Sequence, residues 1–207
     1  MIHEIKNPIM QHKLAQLRNK ETPSKEFRAL VGEIAMLLTY EVGKTFETQE
    51  IEIETPIKSC RVKVLNENNF VVVPILRAGL AMSEGIFKIL PNASTGYVGL
   101  YRDEKTFEPV EYYFKMPPHF HEKNLIVVDP MLATGGSASA AIQLLKNRGA
   151  KKIYFLCIVS APQGIEELSA NHPDVEIYTA TIDEGLNEHC YIVPGLGDAG
   201  DRIFNTL

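Results

Sequence analysis

The N-terminal quarter of the chain shows two different hydrophobic patterns. After Pro23 the apolar residues recur at spacings of three and four, which puts them on one face of a helix. These residues are Phe27, Leu30, Val31, Ile34, Leu37 and Leu38. Pro23 suits the first helical position, and Thr22 suits the N-cap. Farther on, residues 50–54 alternate strictly between Glu and Ile, which predicts a half-exposed strand.

From Phe70 onward, short apolar runs alternate with stretches of helical pattern. The first run, residues 70–76, is continuously apolar, as is typical of a strand buried on both faces. Further strands are predicted at residues 96–101, 125–128, 153–159 and 175–179. Helices are predicted at about residues 78–90, 136–148 and 163–170. This alternation predicts the α/β class: a parallel sheet flanked by helices, in a single domain over residues 1–207.

One segment, at about residues 102–118, does not fit the alternation and is expected to form a protruding β-arm. Tyr112, Tyr113 and Phe114 lie there among charged residues. Two interpretations remain open at this point. The arm is either a surface excursion whose aromatic side chains pack on the core, or a hairpin that packs on a second subunit.

Composition narrows the class of protein. Of 207 residues, 45% are hydrophobic and 23% are charged, and the formal net charge is −5. These values are ordinary for a globular protein, and an acidic chain argues against electrostatic binding of nucleic acid. The three cysteines form no C-x-x-C pair, and the first residues lack the apolar core of a signal peptide. The apolar runs are also too short to span a bilayer, so we expect a cytoplasmic protein without a membrane partner.

The most informative segment runs from residue 125 to residue 139. A buried strand ends in Asp129, a loop of small residues follows, and a helix then begins near Gly136. Small residues let backbone N–H groups approach an anion, and a helix N-terminus adds partial positive charge. Asp129 would be repelled by a phosphate, so it is placed to hold hydroxyls or a metal ion. A site that binds a phosphate beside a carboxylate that holds a pair of sugar hydroxyls predicts a ribose 5-phosphate as the ligand. The plain alternative is a turn whose Thr134 or Ser137 only caps the helix.

Four blocks of sequence carry a resemblance to a known family. They are Pro74-Ile-Leu-Arg-Ala-Gly79, Gly99-Leu-Tyr-Arg-Asp103, the loop from Val128 through Asp129-Pro130 to Ser137, and Tyr191-Ile-Val-Pro-Gly-Leu-Gly-Asp-Ala-Gly-Asp-Arg202. With these blocks the chain resembles type I phosphoribosyltransferases, and within them the uracil branch. In the wider superfamily two acidic residues usually end the ribose-binding strand. Here the second is Pro130, as in the uracil branch.

The resemblance implies transfer of ribose 5-phosphate from phosphoribosyl diphosphate (PRPP) to N1 of uracil, giving UMP and diphosphate. Asp129 would hold the ribose hydroxyls. Arg77 and Arg102 would bind the leaving diphosphate. The plain alternative is a surface charge for Arg77, and for Arg102 an ion pair with Asp103 or Glu104 on the arm. Asp198 is implied to contact PRPP. The remaining PRPP-binding positions implied by the match are Pro130, Met131, Leu132, Ala133, Thr134, Gly135, Gly136 and Ser137.

The last block is implied to form a base-binding hood, at about residues 191–202. Its matching positions for uracil are Ile192, Gly197, Asp198 and Ala199. Uracil presents an acceptor, a donor and an acceptor along one short edge, which backbone groups can recognise. Asp198 is the hypothetical base for uracil N1, and it is grouped with Arg77 and Arg102 as catalytic.

The expected cofactor is Mg²⁺, held mainly through the diphosphate of PRPP rather than by a cluster of protein ligands. The resemblance also implies a homo-oligomer, and GTP is a candidate effector because it activates some relatives. Three alternatives are kept. The first is a regulator of the same fold that binds RNA, and the second is a transferase for another base. For orotate, Arg202 is the candidate partner of the carboxylate. The third is an inactive structural subunit.

Overall fold

The computed structural model describes residues 1–102 and 109–206. Six α-helices lie in this part of the chain: α1 (Pro8–Arg18), α2 (Ser24–Gly43), α3 (Leu80–Phe87), α4 (Gly136–Asn147), α5 (Pro162–Asn171) and α6 (Ala199–Phe204). The strands are β1 (Ile2–Glu4), β2 (Gln49–Glu54), β3 (Ser59–Val64), β4 (Phe70–Leu76), β5 (Ser94–Thr95), β6 (Tyr97–Arg102), β7 (Pro109–Lys115), β8 (Asn124–Val128), β9 (Met131–Leu132), β10 (Lys152–Ser160), β11 (Glu176–Ile182), β12 (Gly185–Leu186) and β13 (Ile192–Val193).

The main sheet has the order β1-β11-β10-β8-β4-β6-β7, with β5 beside β4 and β9 beside β10. Its pairings are parallel, except for the antiparallel pair of β6 and β7 at one edge. Since β4, β8 and β10 are central and parallel, their carboxyl ends meet at one edge of the sheet. The predicted class, a mostly parallel sheet flanked by helices, is therefore confirmed.

Alternate side chains of the central strands point into two separate cores. Val72 belongs to the core that includes Phe27 and Ile34 of α2, whereas Val71 and Val73 belong to the core on the side of α4. All three valines are fully buried. The continuous apolar run at residues 70–76 is thus explained, because a strand covered on both faces has no polar side.

The N-terminal helical region differs from the prediction by one residue. Pro23 is the N-cap of α2, so the predicted assignment of Thr22 as N-cap is wrong. The hydroxyl of Thr22 instead donates to the carbonyl of Gln16, 2.6 Å away, and thereby closes the connection between α1 and α2. On the apolar face, five of the six predicted residues are buried, and Leu37 is partly buried.

The strand predicted at residues 50–54 exists, but it is not half-exposed. β2 pairs with β3 in a separate antiparallel hairpin, and all six of its residues are exposed. Alternation of Ile and Glu indicates two different faces, but it does not reveal whether either face is covered.

The predicted arm at residues 102–118 contains β7, which pairs with β6 along the sheet edge. Phe114 packs against Phe120 and the core on the side of α4, whereas Tyr112 and Tyr113 remain exposed. Phe114 therefore fits the first interpretation, and packing on a second subunit stays a prediction. Residues 103–108, which include the connection from β6 to β7, lie outside the described residues.

In the two described ranges, the helices are all too short or too polar to cross a bilayer.

Candidate active site

Two turns meet at the carboxyl edge of the central strands. Asp129 follows β8, and Arg77 follows the neighbouring strand β4, where Pro74 is paired with Val128. Gly79 lies so close to β8 that a Cβ at this position would be 2.4 Å from the Val128 carbonyl oxygen. The absence of a side chain at Gly79 thus lets the Arg77 turn lie directly beside Asp129. The peptide bond between Leu76 and Arg77 is cis.

The predicted phosphate loop, residues 133–137, connects β9 to α4. Gly135 is the N-cap of α4 at φ 85°, a left-handed conformation that favours glycine. Within the described part of the chain no side chain caps this twelve-residue helix, so its first N–H groups have no side-chain acceptor there. The plain alternative, in which Thr134 or Ser137 serves only as a cap, is therefore not what the helix shows.

A cavity of about 190 Å³ lies over this loop. Its lining consists of Asp129, Met131, Leu132, Ala133, Thr134, Gly135, Ser137 and Ala138. Thr134 is partly buried and Ser137 is exposed, which leaves both hydroxyls near solvent at the cavity. The structure thus brings together an acidic side chain, two hydroxyls and a helix N-terminus, the combination expected for a phosphorylated sugar.

Asp129 is held in an environment that disfavours its charge. Its pKa is raised to about 7, mainly by burial and in part by the nearby Asp198 carboxylate, while the Met131 N–H, 3.2 Å from Oδ1, opposes the change. A carboxyl group with a pKa close to neutrality ionises readily once a partner such as a sugar hydroxyl or a cation arrives. Perturbed carboxyl groups of this kind are typical of functional clefts.

The hood lies across the loop. β12 and β13 pair antiparallel at its base, and Ile192 of β13 is buried. A second cavity, about 420 Å³ in volume, separates the hood from the phosphate loop. It is lined by Met131, Ala133, Thr134, Ser137, His189, Cys190, Tyr191, Ile192 and Asp198. The two segments singled out in the sequence, which are more than fifty residues apart, therefore form one site.

Asp198 also has a structural role that was not predicted from the sequence. It is the N-cap of α6, and its Oδ1 accepts the N–H of Asp201 at 2.9 Å. Ala199, the first residue of α6, is fully buried, whereas Gly197 is exposed at φ 79°. The sequence Asp-Ala-Gly-Asp, with acidic residues at the N-cap and N3 positions, contained a usable signal for this helix start.

The three arginines of interest have different surroundings. Arg77 is exposed, and its guanidinium lies over the ring of Phe204, 5.4 Å from the centroid. Arg102 is the last residue of β6, on the strand next to β4, and only its backbone is described. Arg202 donates to the carbonyls of Leu196 and Asn19 at 2.7 and 2.6 Å.

Arg202 also stacks on the ring of Phe27, with 4.2 Å between the guanidinium carbon and the ring centroid. Burial lowers the pKa of this guanidinium. Its donors already hold backbone carbonyls, so the geometry does not favour Arg202 as the partner of an orotate carboxylate.

Two of the predicted PRPP-binding residues have buried side chains, and their backbone is used in the sheet. The Pro130 carbonyl accepts the N–H groups of Ile158 and Val159, and the Leu132 carbonyl accepts the N–H of Ala161. His189, Cys190 and Tyr191 line the larger cavity but were not among the predicted site residues. Tyr191 is the first residue of the fourth sequence block, so its place in that block was the signal that could have identified it.

Among the described residues, no group of three or more His, Cys, Asp or Glu side chains is arranged to hold a metal ion. Asp129 and Asp198 nevertheless lie close enough for the Asp198 carboxylate to raise the pKa of Asp129. Carboxylate oxygens of this kind fit Mg²⁺, which prefers oxygen ligands and keeps substrate phosphates or water in its shell.

Comparisons with known proteins first define the class. The structure of a hypoxanthine-guanine phosphoribosyltransferase from Bacillus anthracis matches with a TM-score of 0.52 at 11% identity, over 77% of this chain and 82% of that one. This likeness concerns the fold alone. Together with the phosphate loop at the end of β8, it defines the fold as that of type I phosphoribosyltransferases.

Closer relatives then define the family. The family model described as uracil phosphoribosyltransferase matches residues 4–206. A uracil phosphoribosyltransferase from Dictyoglomus turgidum is 56% identical over the full length of both chains. The structure of the AQ2163 protein from Aquifex aeolicus has a TM-score of 0.93 at 37% identity, over 99% of this chain and 98% of that chain. The chain belongs to the uracil phosphoribosyltransferase family, which confirms the predicted enzyme class, a pentosyltransferase.

Proposed function

We propose that the 420 Å³ cavity between phosphate loop and hood is where ribose 5-phosphate passes from PRPP to N1 of uracil, giving UMP and diphosphate. The observation that carries this assignment is the shared lining: Thr134 and Ser137 on one side, and Ile192 and Asp198 on the other. A site that joins two substrates needs both sets of groups within one enclosed volume.

The phosphate end is assigned to the N-terminus of α4. The 5′-phosphate accepts N–H groups of residues 133–137 and the hydroxyls of Thr134 and Ser137. Asp129 accepts the ribose hydroxyls. Its pKa of about 7 in the free protein supports this role, because hydroxyl donors favour the ionised carboxylate.

The diphosphate is assigned to Arg77 and Arg102. Arg77 follows β4 and Arg102 ends β6, and these parallel neighbouring strands place both residues at the same edge of the sheet. The planar guanidinium binds phosphate oxygens in pairs and neutralises the charge that develops on the leaving group. Mg²⁺ held through the diphosphate supplies further charge neutralisation when it is bound, and Asp129 and Asp198 are the residues that would face it.

Uracil is assigned to the hood, at Ile192, Gly197, Asp198 and Ala199. The buried side chain of Ile192 offers an apolar wall, and the backbone near Gly197 offers polar groups to the short edge of the base. The engagement of Arg202 with two carbonyls supports a neutral base over orotate.

We also propose that the chain works in the cytoplasm as a homo-oligomer, and that GTP is its candidate effector. Exposed Tyr101, Tyr112 and Tyr113 on β6 and β7 support a contact between subunits. Sedimentation velocity with and without GTP tests whether the chain forms an oligomer and whether GTP changes that oligomer. A monomer in both conditions would contradict the assembly.

The assignment of the two ends is tested by comparing substrate constants. Thr134→Val and Ser137→Ala each remove a hydroxyl donor to a charged group, and we expect the PRPP Kd to rise about tenfold. The KM for uracil should stay within about twofold. Ser139→Ala is the matched control, since this hydroxyl lies on the same helix but contacts His172, 3.2 Å away. Unchanged PRPP binding in both loop variants would contradict the assignment.

A further inference from the structure

An ion pair ties the hood to the N-terminal helix. Arg18, the last residue of α1, donates to both carboxylate oxygens of Asp183, with Nη1 2.8 Å from Oδ2. The side chain of Asp183 is 3% exposed, and that of Arg18 is 24% exposed. The described lining of the 420 Å³ cavity includes neither residue. The pair joins segments 165 residues apart and lies outside that lining. Arg18 does line a neighbouring cavity of about 330 Å³, together with Gly195, Gly197 and Asp198.

The same pair holds both backbone polar groups of Gly195. Arg18 Nη1 donates to the Gly195 carbonyl at 2.6 Å, and the Gly195 N–H donates to Asp183 Oδ2 at 2.9 Å. Gly195 has φ 60°, and a Cβ there would lie 2.1 Å from the Ile192 carbonyl oxygen. The conformation of the turn at Gly195 is thus fixed by two sets of contacts: hydrogen bonds to the ion pair, and close packing against Ile192.

Gly195 lies between the two segments assigned to uracil. Ile192 is three residues before it, and Gly197 is two residues after it. The next carbonyl, that of Leu196, is held by Arg202. Two consecutive hood carbonyls are therefore bonded to arginines, and the exposed backbone of Gly197 follows directly.

We propose that Arg18 and Asp183 are positioning residues for uracil: by holding Gly195, they set the spacing between Ile192 and the segment from Gly197 to Ala199. This inference rests on the assignment of uracil to the hood. The fork of a guanidinium is what allows one side chain to reach two carboxylate oxygens and a carbonyl together. Lysine has the same charge, but its one nitrogen cannot occupy the positions of both Nη1 and Nη2.

The test uses the full chain with three variants. Arg18→Lys keeps the charge, and Asp183→Asn keeps an oxygen that can accept the Gly195 N–H. Arg28→Lys is the matched control, because Arg28 also joins an N-terminal helix to the C-terminal segment, but through the Ile203 carbonyl at 2.7 Å. KM for uracil, KM for PRPP, kcat and the thermal midpoint are measured for each.

We expect KM for uracil to rise tenfold or more in Arg18→Lys and Asp183→Asn, with KM for PRPP within twofold and the protein folded at the assay temperature. Arg28→Lys should leave KM for uracil unchanged. A structural role alone would lower the folded fraction and leave both KM values intact. That result, or loss of folding in both pair variants, would overturn the proposal.

Failure of the underlying assignment would look different. Gly197→Ala introduces a side chain at φ 79°, a strained conformation within the hood itself. If this variant raises KM for uracil and Arg18→Lys does not, the hood binds uracil and the positioning role is wrong. If neither variant changes KM for uracil, the base is bound elsewhere and both proposals fall.

Discussion

Gly79 and Val128 join the two turns of the active site by direct backbone contact. A Cβ at residue 79 would lie 2.4 Å from the Val128 carbonyl oxygen, and 2.8 and 2.9 Å from the backbone nitrogen and oxygen of Ile75. All three neighbours are backbone atoms of central strands, which cannot move without disturbing the sheet. Arg77 is two residues before this contact and Asp129 is one residue beyond it, so their relative position depends on Gly79.

Gly79→Ala should therefore damage both stability and activity. We expect the free energy of unfolding to fall by about 1–3 kcal/mol, the usual effect of forcing an extra carbon into a packed site. We expect kcat/KM for PRPP to fall at least tenfold, because the Arg77 turn must shift. Denaturant unfolding and steady-state kinetics measure the two effects.

Gly43→Ala is the control for that substitution. Gly43 ends α2, and its Cβ would meet only the Phe46 ring, 3.9 Å away. This variant should keep full activity and be as stable as the wild type or slightly more stable. If Gly79→Ala behaved like Gly43→Ala, the contact would not position Arg77.

Asp129→Asn should make the protein more stable at alkaline pH while removing activity. In the folded protein the pKa of Asp129 rises from 3.8 to about 7, so the folded state holds this proton more tightly than the unfolded chain does. The free energy of unfolding contributed by this group therefore falls as pH rises from about 4 to about 7, and it is constant above that. At 1.36 kcal/mol per pKa unit, we expect the variant to gain roughly 4 kcal/mol at pH 8 and almost nothing at pH 4.

The opposite sign is expected at Asp174. The hydrogen bond from Lys146 holds the pKa of Asp174 below its usual value, so Asp174→Asn should lose a little stability at neutral pH. Urea unfolding of both variants at pH 4 and pH 8 provides the comparison. An equal gain for Asp129→Asn at both pH values would show that ionisation of Asp129 is not what disfavours the folded state.

Asp198 combines helix capping with a hypothetical role in catalysis, and two substitutions separate these roles. Asparagine caps helices about as well as aspartate, so Asp198→Asn should leave stability unchanged, whereas Asp198→Ala should lose about 1 kcal/mol. If the charge acts in the reaction, Asp198→Asn should lower kcat at least tenfold and change its pH profile. Full turnover with an unchanged pH dependence would exclude Asp198 as the base for uracil N1.

The elements that the sequence predicted well are those with long or distinctive local patterns. The run at residues 70–76 and the loop from Asp129 to Ser137 each contain their own signal: burial on both faces in the first, and small residues before a helix in the second. Both were found where expected because each signal lies within the segment's own sequence.

The elements that were missed depend on distant contacts or are too short for periodicity. β1 has only three residues, and it becomes a strand by pairing with β11 near the other end of the chain. α6 has six residues, fewer than two helical turns. The Arg18–Asp183 pair joins residues that no local pattern connects. From the sequence, Arg202 was a candidate partner for the carboxylate of orotate. Only the structure shows that its guanidinium is hydrogen-bonded to two backbone carbonyls.

The central claim is that the phosphate loop and the hood together transfer ribose 5-phosphate to uracil. The most direct test incubates the purified protein with PRPP and Mg²⁺, and with uracil, cytosine, orotate, guanine or hypoxanthine in parallel, and measures nucleotide formation. The account predicts UMP from uracil and no product from the other four bases. A nucleotide formed from orotate or a purine instead of uracil would contradict the assignment of the hood, and no product from any base despite binding of PRPP would contradict the proposed reaction.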